Sequence, residues 1–108
     1  MIDAWAQGFE TKPAPVPREA EAEIFYRLAA NMENGGNTKD AIRIYRRAAR
    51  AGSGKAAQRL GEIFDCGGLG IARDYAESVF WYDIAFRLGE VVPTVDNRDG
   101  RACPKGAQ

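Results

Sequence analysis

The sequence predicts an all-α protein built from two stacked helical hairpins. Three observations carry that expectation. Apolar residues recur at three- and four-residue spacing through four successive segments. Each of those segments runs into a glycine that can stop a helix. The chain also repeats itself: Leu28, Ala29, Met32 and Gly35 match Leu60, Gly61, Phe64 and Gly67 at an offset of 32, and Tyr45, Ala48 and Gly52 match Tyr82, Ala85 and Gly89 at an offset of 37. The same helix pair occurs twice, with five extra residues between the helices of the second pair. Self-similarity on this scale marks supersecondary units that bury their apolar faces against one another.

The elements follow in chain order. Residues 1–17 contain ETKPAPVP, whose alternating prolines cannot be helical, so this part reads as an extended, flexible arm. Ile2, Trp5 and Phe9 are scattered along it. The first hairpin spans 18–53. Its first helix, 18–34, is rich in helix formers, carries Glu19 and Glu21 where they suit the helix dipole, and places Phe25, Leu28, Ala29 and Met32 on the inner side. Gly35 and Gly36 end it, Asn37 or Thr38 caps the second helix, and Ala41, Tyr45 and Ala48 mark that helix's inner face before Gly52. The second hairpin spans 54–90. Ala57, Leu60, Gly61 and Phe64 form the stripe of its first helix; Asp74 caps its second, which stops near Gly89 or Glu90. Small residues at 29 and 61 allow the paired helices to approach, and Tyr45 and Tyr82 fill the gap between neighbouring helices. Residues 91–108, with Pro93, Gly100, Pro104 and Gly106, read as a loose tail.

Composition removes several function classes. At 108 residues the chain has room for one small core. Its formal net charge of zero gives no reason to expect nucleic acid or a membrane surface as partner. No apolar run is long enough to span a bilayer. MIDAWAQGFE carries acids early and lacks a basic segment followed by an apolar core, so it is not an intact secretory signal. The absence of histidine takes away the commonest general base and transition-metal ligand. Cys66 and Cys103 form no CxxC pair and no zinc set; they are either one disulfide or a buried thiol and a tail thiol. No catalytic, cofactor-binding or metal-binding constellation emerges, and the chain reads as a non-enzyme.

The glycine-rich stretch GGLGIARDY, 67–75, raises the question of a phosphate loop. A Walker loop needs a lysine after its last glycine, where this chain has Ile71. A dinucleotide fingerprint needs a preceding strand and a third glycine at the right spacing, and both are missing. The structural reading accounts for each residue. Gly67 ends one helix, Gly68 and Gly70 permit positive φ, Ile71 tucks the loop onto the core and Asp74 caps the next helix.

The run formed by Ala57, Leu60, Gly61, Phe64, Gly67, Gly70, Ile71, Asp74, Tyr75, Trp81, Tyr82, Ala85 and Gly89 resembles the Sel1-like repeat over residues 54–90. Residues 22–53 are closer to a tetratricopeptide repeat. Ser78 and Phe86 depart from the family's alanines, and Leu28-Ala29 replaces its Leu-Gly pair. Phe86 is expected to fill space at the end of the stack. The resemblance implies a short right-handed α-α superhelix acting as a protein-interaction scaffold, often in bacterial envelope or signalling assemblies, in the cytoplasm or periplasm. It implies no catalytic activity.

Three surfaces stand out as places for a partner. The concave face, from the first helix of each hairpin, shows Glu23, Tyr26, Glu33, Lys55, Gln58, Glu62 and Asp65, a mainly acidic set suited to a basic or extended peptide and equally readable as a solvated polar face. Phe80 and Ile84 lie one turn apart on a last helix that is apolar nearly all round; the tail through Val91, Val92 and Val95, another copy of the chain as a homodimer, or a different protein covers them. Arg43, Arg46, Arg47 and Arg50 share one side of the second helix, as a stripe for an acidic partner, nucleic acid or anionic lipid, or as ordinary solvated arginines that favour the helix C-terminus. The sequence reading is therefore a protein–protein interaction or assembly module whose partner is another protein or peptide. The alternative is an accessory subunit that lends its surface to an enzyme or envelope complex.

Overall fold

A computed structural model describes residues 17–93, Leu69 excepted. These residues form four helices, α1 (Arg18–Asn34), α2 (Thr38–Arg50), α3 (Gly54–Cys66) and α4 (Tyr75–Arg87), and no strand. The arm up to residue 16 and the tail from residue 94, with Ile2, Trp5, Phe9, Val95 and Cys103, lie outside the described residues. Helix α1 packs on α2, α3 on α4, and α2 on α3. The protein is all-α, with each pair of helices joined by a connection too short to do anything but fold the chain back.

Backbone hydrogen bonds reproduce the sequence repeat. At the end of α2, Gly52 N–H donates to Ala49 O at 2.9 Å and Ser53 N–H donates to Ala48 O at 2.9 Å. Thirty-seven residues on, Gly89 N–H donates to Phe86 O at 3.0 Å and Glu90 N–H to Ala85 O at 3.0 Å. Both are Schellman motifs, which need a left-handed residue just past the helix; Gly52 (φ 109°) and Gly89 (φ 96°) supply it. Ser53 then turns from ending one helix to starting the next, as its Oγ accepts from Ala56 N–H at 3.0 Å. Asp74 caps α4 in the same way through Glu77 N–H at 3.1 Å. Asn37 precedes α2 without a side-chain cap bond.

The core is small-residue packing around a few large groups. Ala29, Ala41, Ala48, Ala56, Ala57, Leu60 and Ala85 are fully enclosed, with Tyr45, Ile42, Ile63 and Trp81 nearly so. Burying a side chain such as Leu60 stabilises by roughly 2 kcal/mol. Gly61 is required by contact: a Cβ there would stand 2.6 Å from Tyr82 Cδ1, so the ring of α4 lies directly on the backbone of α3. Ser78, at a position where the resemblance implies alanine, is fully buried and donates its Oγ–H to Gly61 O at 3.0 Å. The hydroxyl thus ties α4 to α3 at the point of closest approach.

Two expected core positions differ. Leu28 is 45% exposed, although its counterpart Leu60 is fully buried. Helix α3 has both α2 and α4 packed against it, whereas α1 packs chiefly on α2 and no described helix precedes it. Phe86 is 65% exposed and does not fill the end of the stack.

Candidate interaction surfaces

The polar side chains converge at one junction, between α1, α2 and α3. Tyr45 Oη donates to Glu33 Oε1 at 2.7 Å. Arg59 Nε donates to Glu33 Oε1 and Oε2 at 3.0 and 3.1 Å, and its Nη2 also bonds Oε2. Arg59 Nη1 reaches Glu62 Oε1 at 3.0 Å. Burial pushes the Glu33 carboxyl upward, but the hydrogen bonds from Arg59 and Tyr45, with the charge of Arg59, outweigh it and hold the pKa below its ordinary value. Burial, and then the Glu33 carboxylate, raise the Tyr45 phenol. The bond to Glu33 is also the main cause that raises Arg59, against burial. A carboxylate with this many donors stays ionised at neutral pH, and its chemistry is that of a joint between hairpins.

The predicted concave set divides around this joint. Glu33, Glu62 and Tyr26 gather near Arg59 and Tyr45, the Tyr26 ring 5.9 Å from that of Tyr45. Glu23 pairs with Arg27 at 2.8 Å in the open. Lys55 is exposed, and Gln58 Nε2 donates to Val91 O at 2.8 Å. Asp65 is buried. The face is therefore charge-compensated, not an open acidic groove. Arg59 and Tyr45 were missed as its organisers because they lie 26 and 12 residues from Glu33, separations that helical period does not reveal.

The arginines of α2 serve separate neighbours. Arg46 lies over the Phe64 ring and approaches Glu77 at 3.5 Å, toward the second hairpin. Arg47 lies 4.7 Å over Phe25 of α1, toward the first. Arg43 pairs with Asp40 at 3.0 Å, and Arg50 is exposed. Arg46 thus turns toward the second hairpin, while Arg43, Arg47 and Arg50 remain exposed, Arg47 and Arg50 lining one hollow with Glu21 and Phe25.

Phe80 and Ile84 are not equivalent either. Ile84 is half-buried against the core, whereas Phe80 is exposed and sets its ring edge-on to Trp81, 4.9 Å between centroids. Trp81 Nε1 donates to Glu77 Oε1 at 3.1 Å. Of the expected tail cover, Val92 is half-buried against the core and Val91 is exposed.

A different apolar stripe is open on α4: Tyr75, Val79 and Phe86, exposed by 59, 41 and 65%. The repeat offset of 37 maps these onto Thr38, Ile42 and Ala49, all buried. Contact of Arg46 with Phe64 and Glu77 shows that this side of α2 faces the second hairpin. The stripe on α4 is thus the counterpart of the surface on which one hairpin receives the next.

The glycine loop spends its amides internally. Gly67 N–H donates to Ile63 O, Gly68 N–H to Ile71 O, Ile71 N–H to Gly68 O and Asp74 N–H to Phe64 O, at 2.7–3.0 Å. Gly67, Gly68 and Gly70 have positive φ, and Ile71 packs against the core, which matches a turn. Cys66 is buried and disulfide-bonded. Among the described residues no group of three or more histidine, cysteine or acidic side chains is placed to hold a metal, and no helix is long and apolar enough to cross a membrane.

The described residues thus form two packed helix pairs, with an ionic cluster of Glu33, Arg59 and Glu62 at their junction and an open apolar stripe along α4. Comparison with family models, curated proteins and solved structures finds no match.

Proposed function

We propose that the protein is a non-catalytic interaction module of the Sel1-like and tetratricopeptide kind, whose two hairpins form a short right-handed superhelix and whose partner protein packs on α4. The observation that carries this reading is the pair of triplets Thr38–Ile42–Ala49 and Tyr75–Val79–Phe86. One is covered by the following hairpin, and the other is apolar and open. In a helical array each unit relies on neighbours to cover such a face. An open apolar stripe on a domain this small marks an association surface. The compensated charges of the concave face favour α4 over that face as the contact.

The test is a photo-crosslinking residue placed at Phe86 and, as control, at Arg27. A discrete adduct formed in cells from Phe86 and not from Arg27 supports the reading; its mass distinguishes a second copy from a different protein. Equal labelling from both positions, or none from Phe86, overturns it.

A further inference from the structure

The two ends of the helix stack expose the two halves of a contact that the molecule already makes inside. On α3, Phe64 lies under Arg46 of α2, and Arg59 is bonded to Glu33 of α1. At about 100° per residue, Leu60, Ala56 and Ile63 fall between Phe64 and Arg59 around the helix, on the arc away from Gly61 and its contact with Tyr82. All three are buried, and apart from α4 this helix packs chiefly on α2. The first hairpin therefore covers this side of α3. The surface that receives it on α2 includes the buried Thr38, Ile42 and Ala49.

The repeat carries both halves to the ends of the stack. The offset of 32 maps Ala56, Leu60 and Ile63 back onto Ile24, Leu28 and Asn31 of α1, and all three of these are exposed. The offset of 37 maps Thr38, Ile42 and Ala49 forward onto the open Tyr75, Val79 and Phe86 of α4. Val79 and Phe86 also border a shallow hollow with Tyr82, Asp83 and Val92, in which an incoming side chain can seat. One end face is thus of the kind that a hairpin presents, and the other is of the kind that receives it. Helices α2 and α3 stand between α1 and α4 in the stack, so two molecules are needed to bring the faces together.

We infer that the protein associates with itself head to tail, the Ile24–Leu28–Asn31 face of α1 in one copy packing on the Tyr75–Val79–Phe86 stripe of α4 in the next. The inference rests on the reading of α4 as the contact face and names a second copy as the partner. The match selects that occupant: α1 leaves open the positions that in α3 enter the same kind of surface, so the chain carries its own complement. Because the contact joins two different faces, each added copy leaves one of each free, and association continues past two copies unless a ring closes. The contact is weaker than its counterpart within one molecule. Asp83 stands at the repeat position of Arg46, which clasps Phe64, and Arg27, the counterpart of Arg59, is engaged with Glu23. Apolar burial is then the main force between copies, and assembly depends on concentration.

The experiment is analytical ultracentrifugation of the purified full chain and of two single variants, Leu28→Glu on α1 and Val79→Glu on α4. The unchanged chain, 11.8 kDa as a monomer, should show an average mass that rises past the dimer between about 10 µM and about 1 mM. Each variant alone would bury a charge in the contact and should associate with itself at least about tenfold more weakly. Mixed in equal amounts, the two should form a discrete one-to-one dimer, because one keeps its α4 stripe and the other its α1 face. Ile24→Glu with Phe86→Glu, at positions 57 and 65% exposed, should repeat the result and guards against a variant that fails to fold. Leu28→Glu that dimerises as well as the unchanged chain would mean a symmetric α4–α4 contact and overturns the inference. No dimer from either mixture overturns it, as does an unchanged chain that stays monomeric throughout. In that last case a Phe86 adduct of another mass in cells still upholds α4 as the contact face, whereas no Phe86 adduct removes that reading as well.

Discussion

The two hairpins carry matching letters and bury them differently. Leu28 and Leu60 occupy the same place in the repeat, yet one is 45% exposed and the other fully enclosed. Ile42 and Val79 are likewise counterparts, one covered by the next hairpin and one open. The position of a residue in the repeat fixes which neighbour it would need; what packs beside that repeat among the described residues decides whether it is covered. An interior layer therefore contributes stability, and an end layer contributes surface.

Substitutions at matched positions measure that contrast. Leu60→Ala should destabilise by about 2–5 kcal/mol and Leu28→Ala by less than about 1 kcal/mol, read from urea unfolding midpoints. Equal losses would mean that α1 has cover on its outer side. Gly61→Ala should cost about 1–3 kcal/mol, because its Cβ would meet the Tyr82 ring at 2.6 Å. Its counterpart change, Ala29→Gly, should cost about 2 kcal/mol, from the helix-propensity difference and the lost buried methyl group, with no steric contribution. Gly52→Ala and Gly89→Ala remove the same left-handed turn from the two Schellman motifs and should each cost about 1–2 kcal/mol. A clear inequality between them would show that the second motif, at the end of α4, is less constrained than the first.

The smallest effect concerns the ionic joint, which the first hairpin shares with α3. Glu33 has a folded pKa below its ordinary 4.5, so it binds its proton less readily when folded than when unfolded. Its contribution is complete above about pH 4.5 and is lost as pH falls through the folded value. Arg59 is over a third exposed, so solvent screening holds the contribution to on the order of 1 kcal/mol. Arg59→Met should flatten this acid limb of the stability curve. An unchanged limb would assign it to other carboxylates.

Much of the fold was legible before any coordinates. The glycine at each helix end, the Asp74 cap and the offsets of 32 and 37 are local signals, and Asp74, Gly61 and Ile71 act as their places in the pattern imply, whereas the cap expected at Asn37 or Thr38 makes no side-chain bond and the one at Ser53 was not read from the sequence. The surfaces were much less legible. Helical spacing grouped Arg46 with Arg47, but the two guanidiniums turn to opposite neighbours. It grouped Phe80 with Ile84, although Ile84 is half-buried against the core and Phe80 is exposed, meeting the core at the edge of Trp81. It set Glu33 among free acids, because the arginine that neutralises it comes from another helix, 26 residues away. Periodicity reports direction from one helix axis; burial and charge pairing depend on what stands opposite.

The connections of this molecule bear on how it assembles itself. Its principal contacts join helices that are consecutive in the chain, across links of three to eight residues. Closing such short loops costs little chain entropy, so docking of each helix onto its predecessor is a fast, nearly sequential event. Helices α1 and α4, each packed chiefly on a single neighbour, are then the parts expected to open first, with α1 restrained in addition by the tether of Glu33 to Arg59.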